Sequence, residues 1–191
     1  GSAFADMRLV PYAFALALVA IGPVRLGSKV LQAAGAIALA LFAGRMAITS
    51  VAYIQQDRRA QAELTALEPM PMGARIAFFV VKPCWNPWAM PVLDHVVGAG
   101  IARRNAFVND QWQQPGVNPM RVHYPAAGPF YRDPSHLVQR EDCSHRIRPK
   151  LSQSLAKLPL GAFTHVWIVG EFAQPVAVPD GLVPVPYGGA G

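Results

Sequence analysis

Hydrophobic and polar positions are laid out along this chain in two different ways. From Leu9 to Val24 (LVPYAFALALVAIGPV) and from Val30 to Gly44 (VLQAAGAIALALFAG) neither run contains a charged residue. A helix that packs on a soluble core shows polar side chains every three or four residues, and neither run does. The second run carries its apolar character past Arg45 through MAITSVAYI to Ile54. A lone arginine is tolerated in such a setting when it snorkels or faces a wet cavity. With the requirement of about 20 apolar residues for a membrane span, the pattern predicts a transmembrane helical hairpin, with helices over 9–24 and 30–54 and RLGSK as the turn. The next stretch, QQDRRAQAELTAL (Gln55 to Leu67), is rich in strong helix formers and charge. It predicts a helical stalk leaving the bilayer, with Ile54, Ala60, Leu64 and Leu67 as a narrow stripe that can dock on the C-terminal domain. The two prolines of EPMPMG (Glu68 to Gly73) end the helix, so residues 55–72 read as stalk and linker.

From residue 73 to 191 the pattern changes to short apolar runs separated by turn residues. ARIAFFVV (Ala74 to Val81) and FTHVWIVG (Phe163 to Gly170) read as buried strands, being short and rich in aromatic and β-branched residues. Between them, Pro91 to Arg104 has helical spacing at Val92, His95, Val96 and Ala99, weakened by Gly98 and Gly100. NAFVN (Asn105 to Asn109) predicts a strand, and MRVHY (Met120 to Tyr124) an edge strand. DPSHLV (Asp133 to Val138) predicts a helix start, with Asp as N-cap and Pro at the first position. RPKLSQSLAKLPLG (Arg148 to Gly161) predicts a helix between Pro149 and Pro159. GLVPVPYGG reads as extended, with prolines that suit an edge at best. The expected class is α/β: a transmembrane hairpin followed by a small α/β domain with a partly parallel sheet.

Composition supports this division. The chain is 52% hydrophobic and only 15% charged, against roughly 25% charged in soluble domains. All five histidines, both cysteines and all four tryptophans fall after residue 73. The net charge is +6, and 11 basic against 7 acidic residues follow Gly73. These bases are dispersed, without the dense patch and regular aromatics of a nucleic-acid surface, so no nucleic acid is expected as a partner. Anionic headgroups or simple solvation account for so mild an excess.

Little catalytic chemistry is written in motifs. There is no G-x-S-x-G, no G-x-G-x-x-G and no P-loop, and KPCWNPW follows the first strand where a phosphate loop would stand. No cofactor is expected. No metal is expected either: Cys84, His95 and DCSHR (Asp142 to Arg146) lack the closely spaced cysteine pairs of structural zinc sites. Cys84 and Cys143 form a disulfide in an oxidising compartment, worth about 3–4 kcal/mol through loop entropy, or stay as two buried thiols in the cytoplasm. In a parallel sheet, ligands sit at the carboxyl ends of the strands. Asn109, Asp110 and Trp112, just past NAFVN, are therefore ligand-binding candidates. Arg103 and Arg104 suit the end of a helix, where they complement its dipole.

FADMRL, IARRNAFVNDQW followed by QQPG, DPSHLV, and FTHVWIVG followed by GLVPV resemble the C-terminal part of a group of large bacterial polytopic membrane proteins. That group is similar in architecture to glycosyltransferases that use lipid-linked sugar donors. The resemblance implies a function linked to glycan or lipid-linked sugar transfer, with catalysis upstream of this chain. It implies as partners membrane lipid, a lipid-linked sugar or glycan, and further transmembrane helices of the same protein. Trp85, Trp88 and Trp112 would then stack on sugar rings. The flanks GSAFADMRL and YGGAG read as the ends of a piece of a longer protein. A tethered, non-enzymatic binding or scaffolding domain is the alternative. Arg25 and Lys29 on one side and Arg8, Arg58 and Arg59 on the other do not settle orientation by charge. The cysteine pair, CWNPW and the carbohydrate resemblance favour a bacterial inner-membrane protein with a periplasmic C-terminal domain.

Overall fold

The structure, a computed structural model, describes residues 5–20, 27–84, 93–113, 116, 121–145, 147–170, 172 and 178–186. Gly1–Ala52 and Tyr53–Gly191 form two compact units.

The first unit corrects the expected hairpin. Of the first apolar run, the described residues fold as α1 (Ala5–Ala20), 16 residues with Pro11 inside it, and residues 21–26 lie outside the described residues. At about 1.5 Å per residue such a helix reaches about 24 Å, short of the roughly 30 Å hydrocarbon core. The second run folds as α2 (Ser28–Leu64), a helix of 37 residues. Among the described residues it is the one helix long and apolar enough to cross a membrane. Its length, about 55 Å at 1.5 Å per residue, exceeds the core and accommodates both a span and a polar extension. Leu31, Ile37, Leu39, Phe42 and Ile48 are all exposed. So continuous an apolar surface calls for lipid or protein around it rather than water.

The second unit is built around β1 (Arg75–Lys82), with β2 (Phe107–Val108), β3 (Leu137–Gln139) and β4 (His165–Gly170). All three ladders are parallel. β4 runs along one edge of β1, from Ile76↔His165 to Val81↔Gly170. The opposite edge is shared by two short strands in tandem: β2 pairs with Arg75 and Ile76, and β3 pairs with Val80, Val81 and Lys82. The ladder on that edge is therefore broken at Ala77 to Phe79.

β1 alternates strictly, and both of its faces are covered. Ile76, Phe78 and Val80 point to a core with Val97, Ala106, Val108, Trp167 and Val169. The end of the stalk joins this core through Leu64, Leu67 and partly buried Ala60, so the predicted stripe docks, whereas Ile54 remains 53% exposed. Ala77, Phe79 and Val81 point to the other core, with Phe130, Val138, Leu151, Leu155 and Phe163. A parallel strand buried on both faces has to be apolar throughout, which is why RIAFFVV was legible as a strand. After the stalk, a 3-10 turn over Thr65–Leu67 leaves open carbonyls. Arg104 closes them: its Nε donates to Leu67 O at 2.8 Å and its guanidinium to Glu68 O at 3.1 Å.

Other local expectations are shortened or replaced. The helix expected over 91–104 is a 3-10 turn, Val96–Gly98, and a six-residue α3 (Ala99–Arg104), ended by Asn105 in the left-handed region at φ 50°. Residues 91 and 92 lie outside the described residues. The helix around Pro149 is α4 (Leu151–Lys157). The edge strand expected at MRVHY is not formed over 121–124; a 3-10 segment, Pro125–Phe130, comes directly after it. The helix expected to start at Asp133 is instead a turn leading into β3, with a cis Asp133–Pro134 peptide. Long-range pairing overrides the local cap signal there: His136 O accepts from Val80 N at 2.8 Å, which draws the segment onto the open edge of β1.

Candidate functional site

The break between β2 and β3 is where the polar residues gather. Asn109 fills the gap in the ladder. Its Oδ1 accepts from Phe78 N–H at 2.7 Å, and its Nδ2 donates to Phe78 O at 3.2 Å and to Ser135 Oγ at 3.3 Å. The side-chain amide thus imitates one residue of a neighbouring strand. It is fully buried, and its hydrogen-bonding groups are taken up by the protein itself. This candidate is a builder of the site's floor.

Asp110, the next residue, turns into the site and is also buried. Its Oδ2 lies 3.5 Å from Nδ1 of His95, whose side chain is 62% exposed. Burial pushes the Asp110 carboxyl up to about 6, against the pull of His95. Opposite, His136 is completely buried, its ring stacked near Phe78 (6.2 Å between centroids) and 5.4 Å from the His95 ring. Neither ring nitrogen of His136 makes a hydrogen bond of ordinary geometry; Nδ1 lies 3.6 Å from Asp133 Oδ1. Burial, and then the neighbouring His95, push His136 down to about 4, so its imidazole is neutral at physiological pH. Asp133 is raised by partial burial, which outweighs the nearby His95. Lys82, at the carboxyl end of β1, is paired with Asp94, which removes one cation from competition for the carboxylates.

His95, Asp110, Asp133 and His136 therefore converge from separate stretches of the chain. Asp133 N donates to Gln111 O at 3.0 Å and ties two of those stretches together. One ligand atom from each of His95, Asp133 and His136 lies within 4.8 Å of the others. Only the Asp-x-x-His spacing of DPSHLV hinted at this in the sequence. His95 was legible as one position on a helical face, and as a zinc ligand only alongside Cys84 and DCSHR, not with Asp133 and His136.

The remaining candidates separate. Trp112, two residues beyond Asp110, is 50% exposed. Trp85 and Trp88 lie outside the described residues. Cys84 and Cys143 are joined in a disulfide, so although they lie with Asp142 they offer no thiolate. A concavity of about 540 Å³ lies apart from this cluster's residues, along β4 and the extended segment around Leu182, lined by Met70, Leu155, Trp167 and Val183 with Thr164 and His165 as its polar side chains.

What fold and site define is an α/β domain with a parallel four-stranded sheet, preceded in the chain by a long apolar helix and carrying a histidine–carboxylate cluster at a break in one sheet edge. No protein-family model, curated protein or solved structure matches this chain.

Proposed function

We propose that this chain is the membrane-anchored, extracytoplasmic part of a bacterial integral membrane protein, and that its working surface is the polar break between β2 and β3. The observation that carries the reading is the Cys84–Cys143 disulfide, which closes just beyond the carboxyl end of β1. Such bonds persist in oxidising compartments and are rare in the cytoplasm. The 37-residue apolar helix supplies the anchor. The ligand we assign is a sugar or lipid-linked sugar headgroup, handled for a transfer reaction whose catalytic groups lie elsewhere in the protein. Half-exposed Trp112, two residues beyond Asp110 in the chain, has the flat apolar face such a ring stacks on, and buried carboxylates and histidines suit its hydroxyls.

Placement is tested with Gln153→Cys, an exposed position on α4, in a Cys84→Ser/Cys143→Ser background. Labelling by a membrane-impermeant maleimide in intact spheroplasts is expected; labelling only after the membrane is opened refutes the placement. The ligand is tested by titrating the full chain in detergent with a polyprenyl-phosphate-linked sugar. A saturable tryptophan response that disappears in Trp112→Ala is expected, and no response refutes the sugar assignment.

A further inference from the structure

The cluster at the sheet break has the composition and layout of a divalent transition-metal site, and we propose that His95, Asp133 and His136 bind zinc or a similar borderline cation there, with Asp110 orienting His95. The proposal deepens the working-surface reading, since it uses the same break between β2 and β3.

Four observations carry it. First, the donors are two imidazoles and one carboxylate, the set that suits zinc and its neighbours in the first transition row. Their ligand atoms lie within 4.8 Å of one another. Ligands on one tetrahedral zinc at bonds of 2.0–2.1 Å stand about 3.4 Å apart, so up to about 1.4 Å of closure is needed. His95 can supply it by a small shift of its side chain, which is 62% exposed, with Nδ1 kept against Asp110.

Second, His136 is completely buried, with Nδ1 3.6 Å from Asp133 Oδ1 and the Asp94 backbone near enough to act on its ring, yet neither ring nitrogen makes a hydrogen bond of ordinary geometry. A cation held jointly with Asp133 would satisfy one of these nitrogens.

Third, metal-bound histidines usually donate their second ring N–H to a carboxylate, which fixes the tautomer and the ring plane. His95 has this arrangement already: Nδ1 lies 3.5 Å from buried Asp110 Oδ2, which leaves Nε2 for the metal.

Fourth, the local charges admit a cation. Asp133 and Asp110 contribute two carboxylates, while Lys82 is neutralised by Asp94. Arg148 is close enough to act on Asp133 and opposes the cation, so the site is expected to be weaker than a closed structural zinc site. Three protein ligands would leave a bound zinc short of four-coordinate, so a water or an oxygen donor of a bound molecule would complete it.

The test is a zinc titration of the full chain in detergent, free of affinity-tag histidines and stripped with chelator, followed by calorimetry and by cobalt(II) absorption. One ion per chain is expected. His95→Ala and Asp133→Asn are expected to weaken binding by about a hundredfold or more, and Asp110→Asn by about tenfold to a hundredfold, as for orienting carboxylates. His123→Ala, at an exposed position away from the cluster, is expected to leave affinity unchanged. His95 is exposed enough that its removal leaves the fold intact, which circular dichroism would verify. Absence of binding, or binding indifferent to both His95→Ala and Asp133→Asn, overturns the proposal. Because the titration needs neither a membrane side nor a sugar, its failure is distinct from failure of the placement or sugar tests.

Discussion

Replacing Asn109 by alanine is the sharpest perturbation of this fold. Its side chain completes the β1 ladder where β2 has ended and β3 has not begun. Its removal leaves the Phe78 N–H and C=O facing an apolar core. Each unsatisfied buried group costs about 1–3 kcal/mol, so the expected loss is roughly 2–6 kcal/mol, centred near 4. That is a large share of the stability of an ordinary domain. Ser135→Ala removes two longer bonds, from Asn109 Nδ2 at 3.3 Å and to Asn109 O at 3.4 Å, and leaves both Phe78 bonds intact, so a smaller loss of about 1–2 kcal/mol is expected. Asn109→Asp gives a finer test. Oδ1 still accepts from Phe78 N–H, but the second oxygen now faces Phe78 O, and burial penalises its charge. The folded-state pKa of that aspartate should rise above the unfolded value. Stability is then greatest below the unfolded pKa and is lost as pH rises through the folded one, at up to about 1.4 kcal/mol per pH unit. Asn109→Asp should therefore approach wild type in acid and fall behind it at neutral pH. The assay is urea unfolding of the chain in detergent, followed by near-ultraviolet circular dichroism. Buried Trp167, edge-on to Phe78 at 5.2 Å, reports on the same face. A loss below about 1 kcal/mol for Asn109→Ala would refute the ladder argument, as would an Asn109→Asp variant whose deficit does not depend on pH.

Three further outcomes are expected. Gly170 sits at φ 120°, where an added Cβ would lie 2.4 Å from Val81 O, so Gly170→Ala should break the end of the β1–β4 ladder and cost several times the roughly 1 kcal/mol of an exposed glycine replacement; a melt within about 1 kcal/mol of wild type would contradict this. The Cys84→Ser/Cys143→Ser pair opens a bond spanning 59 residues, and about 3–4 kcal/mol should be lost, with reductant producing the same loss in wild type and none in the double variant. Burial lowers the His165 pKa below 6.5, so its unfolded form protonates first and stability is lost as pH falls below 6.5; His165→Gln should show a shallower loss between pH 7 and pH 5 in parallel melts, and equal slopes would exclude this contribution.

Much of the scaffold was legible in the order of residues alone. An apolar run with no polar face predicts a helix for lipid, and α2 is long and apolar enough to be one. RIAFFVV and HVWIVG are short, β-branched and aromatic, which is what a buried parallel strand requires, and they form the central pair β1 and β4. Leu64 and Leu67 follow helical spacing into the core. These features rest on interactions between near neighbours, or on burial so complete that few alternatives exist. The hairpin failed because apolar composition sets solvent preference but not helix length, and among the described residues only α2 is long enough to span. The Asp133 cap signal failed because a local preference worth about 1 kcal/mol yields to strand pairing. What only the tertiary structure decided is the tandem occupation of one edge of β1 by two short strands. That register depends on contacts between segments far apart in the chain. It turns Asn109 from a ligand-binding candidate into a substitute ladder residue, and it brings His95 and Asp110 to the Asp133–His136 pair, a meeting that no spacing along the sequence encodes.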